Sequence, residues 1–239
     1  MKGIILAGGN GTRLRPLTSV TNKHLLPVYD KPMLFYPLEL LTGAGITEIM
    51  VVSGKEHAGN FMNLLGSGRE FGVRFYYALQ DQAGGIAEAL GLTEGFAKDD
   101  NMTVVLGDNI VLDDISERVS DFRGGARIFL REVESPERFG VPVFDGKGNL
   151  IEIEEKPEKP RSRYAVTGLY QYDNTVFQRI RELKPSARGE LEITDVNNSY
   201  LREGRLDYVF LKEPWMDAGT VESLFEASRL IRERSASRR

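Results

Sequence analysis

The first stretch of the chain able to do chemistry is a glycine-rich turn followed by two arginines, Gly8-Gly9-Asn10-Gly11-Thr12-Arg13-Leu14-Arg15-Pro16, entered directly from the apolar run Gly3-Ile4-Ile5-Leu6-Ala7. Glycines let backbone N–H groups approach phosphate oxygens with no Cβ in the way. A turn at the C-terminal end of a strand is also where open α/β sheets bind ligands. A glycine loop alone is as readily a plain tight turn; Arg13 and Arg15 tilt this one toward an anion. Two familiar phosphate loops are excluded by their letters. A Walker A loop needs Gly-x-x-x-x-Gly-Lys-Ser/Thr, which no stretch supplies. A dinucleotide fingerprint needs a third glycine where Leu14 stands, and an acid at the end of the second strand, where the chain reads Ser53-Gly54-Lys55. A nicotinamide-dependent dehydrogenase is therefore disfavoured.

Further along, Lys23 lies in Asn22-Lys23-His24-Leu25-Leu26-Pro27, where an ammonium can act as a point charge on phosphate or be an ordinary solvated lysine. His24 has nothing local that makes it a base. Asp108 follows the apolar strand Val104-Val105-Leu106, at the same end of a parallel sheet as the glycine turn; an Asp-Asn pair is equally a common turn. Asp217, in Trp215-Met216-Asp217-Ala218-Gly219-Thr220, precedes the last helix and would need no role beyond capping it. Together Asp108 and Asp217 could hold Mg²⁺, which takes one or two carboxylates plus substrate phosphates. Glu155-Lys156 is surface charge or, alternatively, one hydroxyl-binding carboxylate and one phosphate-binding ammonium at the mouth of the sheet. Phe139 reads as core packing rather than a stacking platform.

The elements that must position these groups change character midway. Gly3–Ala7, Glu48–Ser53, Arg74–Ala78 and Met102–Leu106 read as strands, alternating with helical spacing over Met33–Gly43, Glu56–Leu65 and Ile86–Phe96. That alternation predicts an α/β fold with a mainly parallel sheet, whose strands, apolar on both faces, are covered on both sides. After about residue 124, strands come close together at Ala126–Val133, Val141–Phe144, Leu150–Glu154 and Gly168–Tyr172, with a turn at Asp145–Gly148. Helices return at Asn174–Leu183, Thr194–Glu203 and Val221–Arg234, with a strand at Leu206–Leu211, and the end 234–239 is expected to fray. No repeat or linker interrupts the chain, so one continuous domain is expected.

Composition bounds the function classes. The 239 residues contain no cysteine and two histidines, which removes disulfides, thiol nucleophiles, Cys-ligated zinc, iron–sulfur clusters and His-rich metal sites. The apolar runs are far shorter than the ~18 residues of a membrane span, and Met1–Ala7 lacks the pattern of a signal peptide. A cytoplasmic protein is expected, with no membrane partner. A net charge of −4 disfavours a general nucleic-acid binder. Residues 1–40 nevertheless carry +3, leaving −7 elsewhere, which suits a small anionic ligand.

Taken in order, the glycine-Thr-Arg turn, Lys23 in Lys-His-Leu-Leu-Pro, Gly107-Asp108-Asn109, Phe139-Gly140-Val141, Glu154-Glu155-Lys156-Pro157, Arg188-Gly189-Glu190-Leu191-Glu192-Ile193-Thr194-Asp195 and Trp215-Met216-Asp217-Ala218-Gly219-Thr220 resemble the sugar-1-phosphate nucleotidylyltransferases over nearly the whole chain. The likeness is strongest to the members that join dTTP to glucose 1-phosphate, giving dTDP-glucose and pyrophosphate with Mg²⁺. It implies a Rossmann-like nucleotide-binding half, about 1–124, and a smaller, antiparallel sugar-binding half, about 125–239, sharing one crevice. Carried over, Leu6, Gly8, Gly9, Gly11, Thr12 and Arg13 would hold the nucleotide, with Gln80 and Gly85 at the thymine and Asp108 beside the phosphates. Arg13 and Lys23 would balance the triphosphate charge. Gly140, Glu155 and Gly168 would contact the sugar, Lys156 its phosphate, and Asp108 and Asp217 the metal. Arg13, Lys23, Asp108 and Lys156 would thus carry the catalysis.

The chain departs from that pattern twice. His24 stands where many longer members carry glutamine, and the sequence stops soon after its final helix, without the segment those members use for a second, regulatory nucleotide site. Feedback through that site is thus not implied; a homo-oligomer remains compatible with the sequence. Competing readings are the same chemistry with UTP or another sugar phosphate, and a non-catalytic nucleotide-sugar sensor. A sensor could dispense with the aspartate pair that this chain retains.

Overall fold

The computed structural model describes residues 1–9 and 11–237. In chain order the first half contains β1 (Lys2–Ala7), β2 (Pro27–Val28), β3 (Lys31–Pro32), α1 (Phe35–Gly43), β4 (Glu48–Gly54), α2 (Ala58–Leu65), β5 (Arg74–Gln80), α3 (Ile86–Gly91), α4 (Glu94–Ala97), β6 (Met102–Leu106), β7 (Asn109–Val111) and α5 (Ser116–Asp121). The second contains β8 (Ala126–Glu132), β9 (Gly140–Phe144), β10 (Leu150–Glu155), β11 (Tyr164–Tyr172), α6 (Val176–Glu182), α7 (Ile193–Arg202), β12 (Leu206–Phe210), β13 (Trp215–Asp217) and α8 (Val221–Ser237).

One nine-stranded sheet runs through both halves in the order β10-β9-β11-β6-β1-β4-β5, with β8 and then β12 attached to β11. The strands β6, β1, β4 and β5 are parallel, as the β-α-β rhythm requires. The antiparallel portion predicted for the second half is a continuation of the same sheet, because β11 pairs with β6 at Leu169–Tyr172 and with β9 at Val166. Alternating residues of β1 supply two cores: Ile4 and Leu6 face one side, with Phe177, Ile180, Val196 and Tyr200 from α6 and α7, while Ile5 and Ala7 face Leu38, Leu41, Phe61 and Leu65 of α1 and α2. Both faces are covered, which explains why the strand is apolar from Ile4 to Ala7. A third apolar cluster joins Leu14, Val28, Met33, Ile110 and Ala218 to Leu224, Ala227 and Ile231 of α8. No helix among the described residues is long and apolar enough to cross a membrane.

Several expected elements differ, each for a local reason. The helix read over Ile86–Phe96 is two, because the buried Thr93 turns its hydroxyl onto the Leu90 carbonyl at 2.7 Å. The helix read from Met33 starts at Phe35, since the Met33 and Leu34 amides are spent on Leu26 and His24 carbonyls. The helix read from Glu56 opens with a 3₁₀ turn, Lys55–His57, before α2. β11 starts at Tyr164 rather than Gly168, where its ladder with β8 shifts register. The end does not fray up to Ser237: Arg234 pairs with Glu213 at 2.7 Å and the Ser237 hydroxyl donates to the Glu233 carbonyl at 3.0 Å. Residues 238 and 239 of the expected frayed tail lie outside the described residues.

Candidate active site

The strand ends converge on a cavity of about 540 Å³. Its wall includes Leu6, Gly8, Gly9 and Arg13 from the first turn, Lys23, then Gln80 and Gly85, Asp108, Gly140, Glu155, Lys156, Gly168 and Asp217. Gly11 and Thr12 are not part of that wall; the carbonyls of this turn accept from Leu14 and Arg15 amides at 3.0 and 3.3 Å and so aim Arg13 inward.

Two paired short strands set the acidic centre. Asp217 in β13 lies opposite Asn109 in β7, and the Ala218 amide donates to the Asp108 carbonyl at 2.9 Å. A Cβ built on Gly219 would sit 2.8 Å from Asp217 Oδ1, 2.9 Å from Arg13 Nη2 and 3.4 Å from Asp108 Oδ2, so three charged groups from distant segments surround one point. Asp217 does not cap the last helix, as its position had suggested. Thr220 does, its hydroxyl accepting from the Ser223 amide at 3.2 Å, and Asp217 is left facing the cavity.

The two carboxyls differ in electrostatics. Burial pushes Asp108 up, but the adjacent Lys23 ammonium, which donates to Oδ2, and Asn109 outweigh it and hold Asp108 well below the usual carboxylate range. Burial and then the Asp108 charge push Asp217 up, only partly opposed by Lys23, Arg13 and Arg138. A pair of buried like charges, one of them undercompensated, suits a divalent cation. No group of three or more His, Cys, Asp or Glu residues that could hold a metal occurs among the described residues.

Asn109, a residue type common in turns, instead opens β7 and ties three segments together. Its Oδ1 accepts from the Gly168 amide at 2.9 Å and the Trp215 indole at 2.6 Å, and its Nδ2 donates to Asp108 Oδ1 at 3.1 Å. The Trp215 ring meets Phe139 edge-on at 5.1 Å, so Phe139 packs as expected. His24 is buried and its pKa pulled to about 3 by burial and by Lys23; Nδ1 lies 2.7 Å from Asn22 Oδ1. It is a neutral packing residue against Gly107.

Elsewhere on the cavity wall, Glu155 accepts from the Thr194 hydroxyl at 2.6 Å and from Arg188 at 3.1 Å. Lys156 has a left-handed backbone, φ 45°, and its Nζ is 3.6 Å from Glu155 Oε1. For a side chain with a Cβ that conformation costs on the order of 1–2 kcal/mol, and such strain is concentrated at functional sites. Thr194 and Arg188 lie in the run Arg188 to Asp195, whose letters alone give them no role. Their signal was adjacency to the acids of that segment.

The chain matches the family described as nucleotidyl transferase over residues 2–234. A protein named glucose-1-phosphate thymidylyltransferase from Neisseria meningitidis serogroup A is 47% identical over 237 residues, 97% of this chain and 82% of that one. One of the same name from Mycolicibacterium smegmatis is 47% identical over 238 residues, with the same coverages of 97% and 82%. A crystal structure from Bacillus anthracis, of a candidate glucose-1-phosphate thymidylyltransferase in complex with a sucrose, superposes with a TM-score of 0.93 at 56% identity, covering 97% of this chain and 95% of that one. UDP-glucose pyrophosphorylase complexed with UDP-glucose gives 0.85 at 26% identity, covering 98% of each chain.

Proposed function

The chain belongs to the nucleotidyl transferase family, and within it we propose that it joins dTTP to glucose 1-phosphate, releasing pyrophosphate and dTDP-glucose, as a glucose-1-phosphate thymidylyltransferase. The observation that carries this reading is the convergence of Arg13, Lys23, Lys156 and the Asp108–Asp217 pair on one cavity whose wall also includes Gln80, Gly85, Glu155 and Thr194. Two mutually repelling anions can meet there only if the wall neutralises them.

A sugar-phosphate oxygen attacks the α-phosphorus in line; the new O–P bond forms as the bond to the bridging oxygen breaks and pyrophosphate departs. The attacking monoester has a second pKa of about 6 and arrives largely ionised, so no general base is required and a neutral His24 is no handicap. The work of the protein is alignment and charge compensation. Backbone N–H groups of the Gly8–Gly9 turn and Arg13 hold the triphosphate, and Lys23 adds charge at its α end. Lys156 anchors the sugar phosphate while Glu155, oriented by Thr194 and Arg188, accepts from a sugar hydroxyl; Gly140 and Gly168 let backbone approach the sugar. Gln80 and Gly85 hold the thymine edge. Asp108 and Asp217 would hold Mg²⁺, which when bound neutralises phosphate charge. All 239 residues work as one domain, with a nucleotide side of about 1–124 and a sugar side of about 125–239. Absence of cysteine suits a cytoplasmic setting.

Pyrophosphate release measured over a grid of nucleoside triphosphates and sugar 1-phosphates tests the reading. The expected maximum is dTTP with glucose 1-phosphate, with UTP slower by the ~1–3 kcal/mol a methyl-sized difference is worth. Activity should vanish with EDTA and return with Mg²⁺. A maximum elsewhere on the grid would reassign the substrates, and activity undiminished by EDTA would reject the metal pair.

A further inference from the structure

We propose that Glu88 is a positioning residue that fixes the Gln80 amide with its oxygen toward the base, so that the site selects a pyrimidine whose ring N3 carries a proton. The inference rests on the reading that Gln80 and Gly85 hold the base.

Gln80 is the last residue of β5 and is buried at the cavity wall. Its Nε2 donates to Glu88 Oε2 and to the Gly85 carbonyl at 3.3 Å. Both partners are pure acceptors, a carboxylate and a backbone carbonyl. Flipping the amide would set its lone pairs against theirs, so the network itself determines which end is nitrogen. The oxygen is then turned the other way, against Gly8: a Cβ at that glycine would collide with Oε1. Among the described residues Oε1 accepts no hydrogen bond from the protein, and it is the polar atom left over for a ligand.

An acceptor at that point discriminates by base chemistry. Thymine and uracil present an N3–H between two carbonyls, and N3–H can donate to Oε1. Cytosine presents a bare N3 lone pair, which Oε1 repels. The selectivity belongs to the orientation of the amide, and an unrestrained amide could serve either base by turning over. Glu88 removes that freedom. It stands in the first turn of α3, beyond Gly85 with its φ of 105°, and its Cγ would lie 3.2 Å from a Cβ on Gly84, so it spans the loop that carries the base contacts. An acid so close to a helix N-terminus also has an ordinary stabilising role there, but that role would change stability and leave base choice alone.

The experiment compares kcat/KM for dTTP and dCTP, at saturating glucose 1-phosphate, in the wild-type protein and in Glu88→Leu, Glu88→Ala and Glu88→Gln, with dTTP affinity measured by calorimetry. In Glu88→Leu and Glu88→Ala the dTTP/dCTP ratio should fall about tenfold, the weight of one hydrogen bond, through a higher KM for dTTP with kcat little altered. Glu88→Gln, whose side-chain amide can accept from Gln80 or donate to it, should give a ratio between that of the wild type and those of the apolar variants. An unchanged ratio in whichever of the two apolar variants folds, or a glutamine variant that falls as far as they do, overturns the role of Glu88. A wild-type protein that prefers a purine triphosphate would instead defeat the underlying reading of Gln80, and this inference with it.

Discussion

Asp173 and Asp217 are both withdrawn from solvent, and the protein treats them in opposite ways. Asp173 takes the Thr175 amide at 3.1 Å, the Thr175 hydroxyl at 2.5 Å and the Tyr200 hydroxyl at 2.9 Å on Oδ1, and the Gly125 amide at 2.7 Å and Arg205 at 2.6 Å on Oδ2. Burial pushes its carboxyl up, and these donors overcome that and hold it below the usual range. Asp217 has the Gly219 amide at 3.1 Å and an arginine at 3.9 Å, and its carboxyl is pushed up. A fully donated carboxylate fastens β8, β11 and α7 together. An undercompensated one, beside a second acid and at the wall of a cavity, is what the proposed Mg²⁺ site calls for. Burial alone does not distinguish the two; the tally of donors does.

The sharpest way to break this contrast is Asp217→Asn. It should lower pyrophosphate release about 10²- to 10³-fold, by analogy with loss of one transition-state charge contact, while the melting temperature holds or rises because a like-charge repulsion has gone. Wild-type turnover would move Asp217 into the class of Asp173. Asp108→Asn should lose activity on the same scale. Next in size is Lys156→Ala, expected to cost about 10²-fold, with kcat/KM falling further for glucose 1-phosphate than for dTTP; equal losses for both would take Lys156 off the sugar phosphate.

Asp173→Asn should do the reverse of Asp217→Asn. Turnover of the folded enzyme should stay near normal, and urea unfolding should show a loss of about 1–3 kcal/mol, because a side-chain amide cannot accept from all those donors. The folded-state carboxyl is held down, so its stabilisation is complete above the unfolded value of about 4 and fades as pH falls through the folded value. The stability gap between wild type and Asp173→Asn should therefore be constant from pH 7 to pH 5 and close toward pH 2. A gap still open at pH 2 would mean that something other than the ionised carboxylate is lost.

The parallel strands were legible because apolar runs such as Ile4-Ile5-Leu6 and Met50-Val51-Val52 announce burial on both faces, and the structure delivers it. Gly8, Gly9 and Arg13 of the glycine turn, Lys23, Asp108, Glu155, Lys156 and Asp217 were legible as residue types in motifs, and all of these reach one cavity, whereas Gly11 and Thr12 do not. What stayed hidden depends on contacts between distant segments. The short pair β7 and β13 joins positions 106 residues apart at Asn109 and Trp215, and no local period announces three-residue strands. For the same reason Asp217 resembled a helix cap: adjacency to α8 is visible in the letters, whereas its pairing with β7 is not. Thr93, which divides α3 from α4, looked like one more helical residue, since the pattern of apolar positions carries no record of where a hydroxyl turns.

The apolar layer that joins Leu14 and Ile110 to Ala218, Leu224, Ala227 and Ile231 makes the two ends of the polypeptide mutually dependent. The arginine turn and the acidic loops rest on a floor laid by α8, far along the chain from the turn it supports. A nascent chain emerging from the ribosome cannot complete its anion-binding corner until α8 is out, and a truncation within α8 would undermine a corner built largely from residues synthesised long before it.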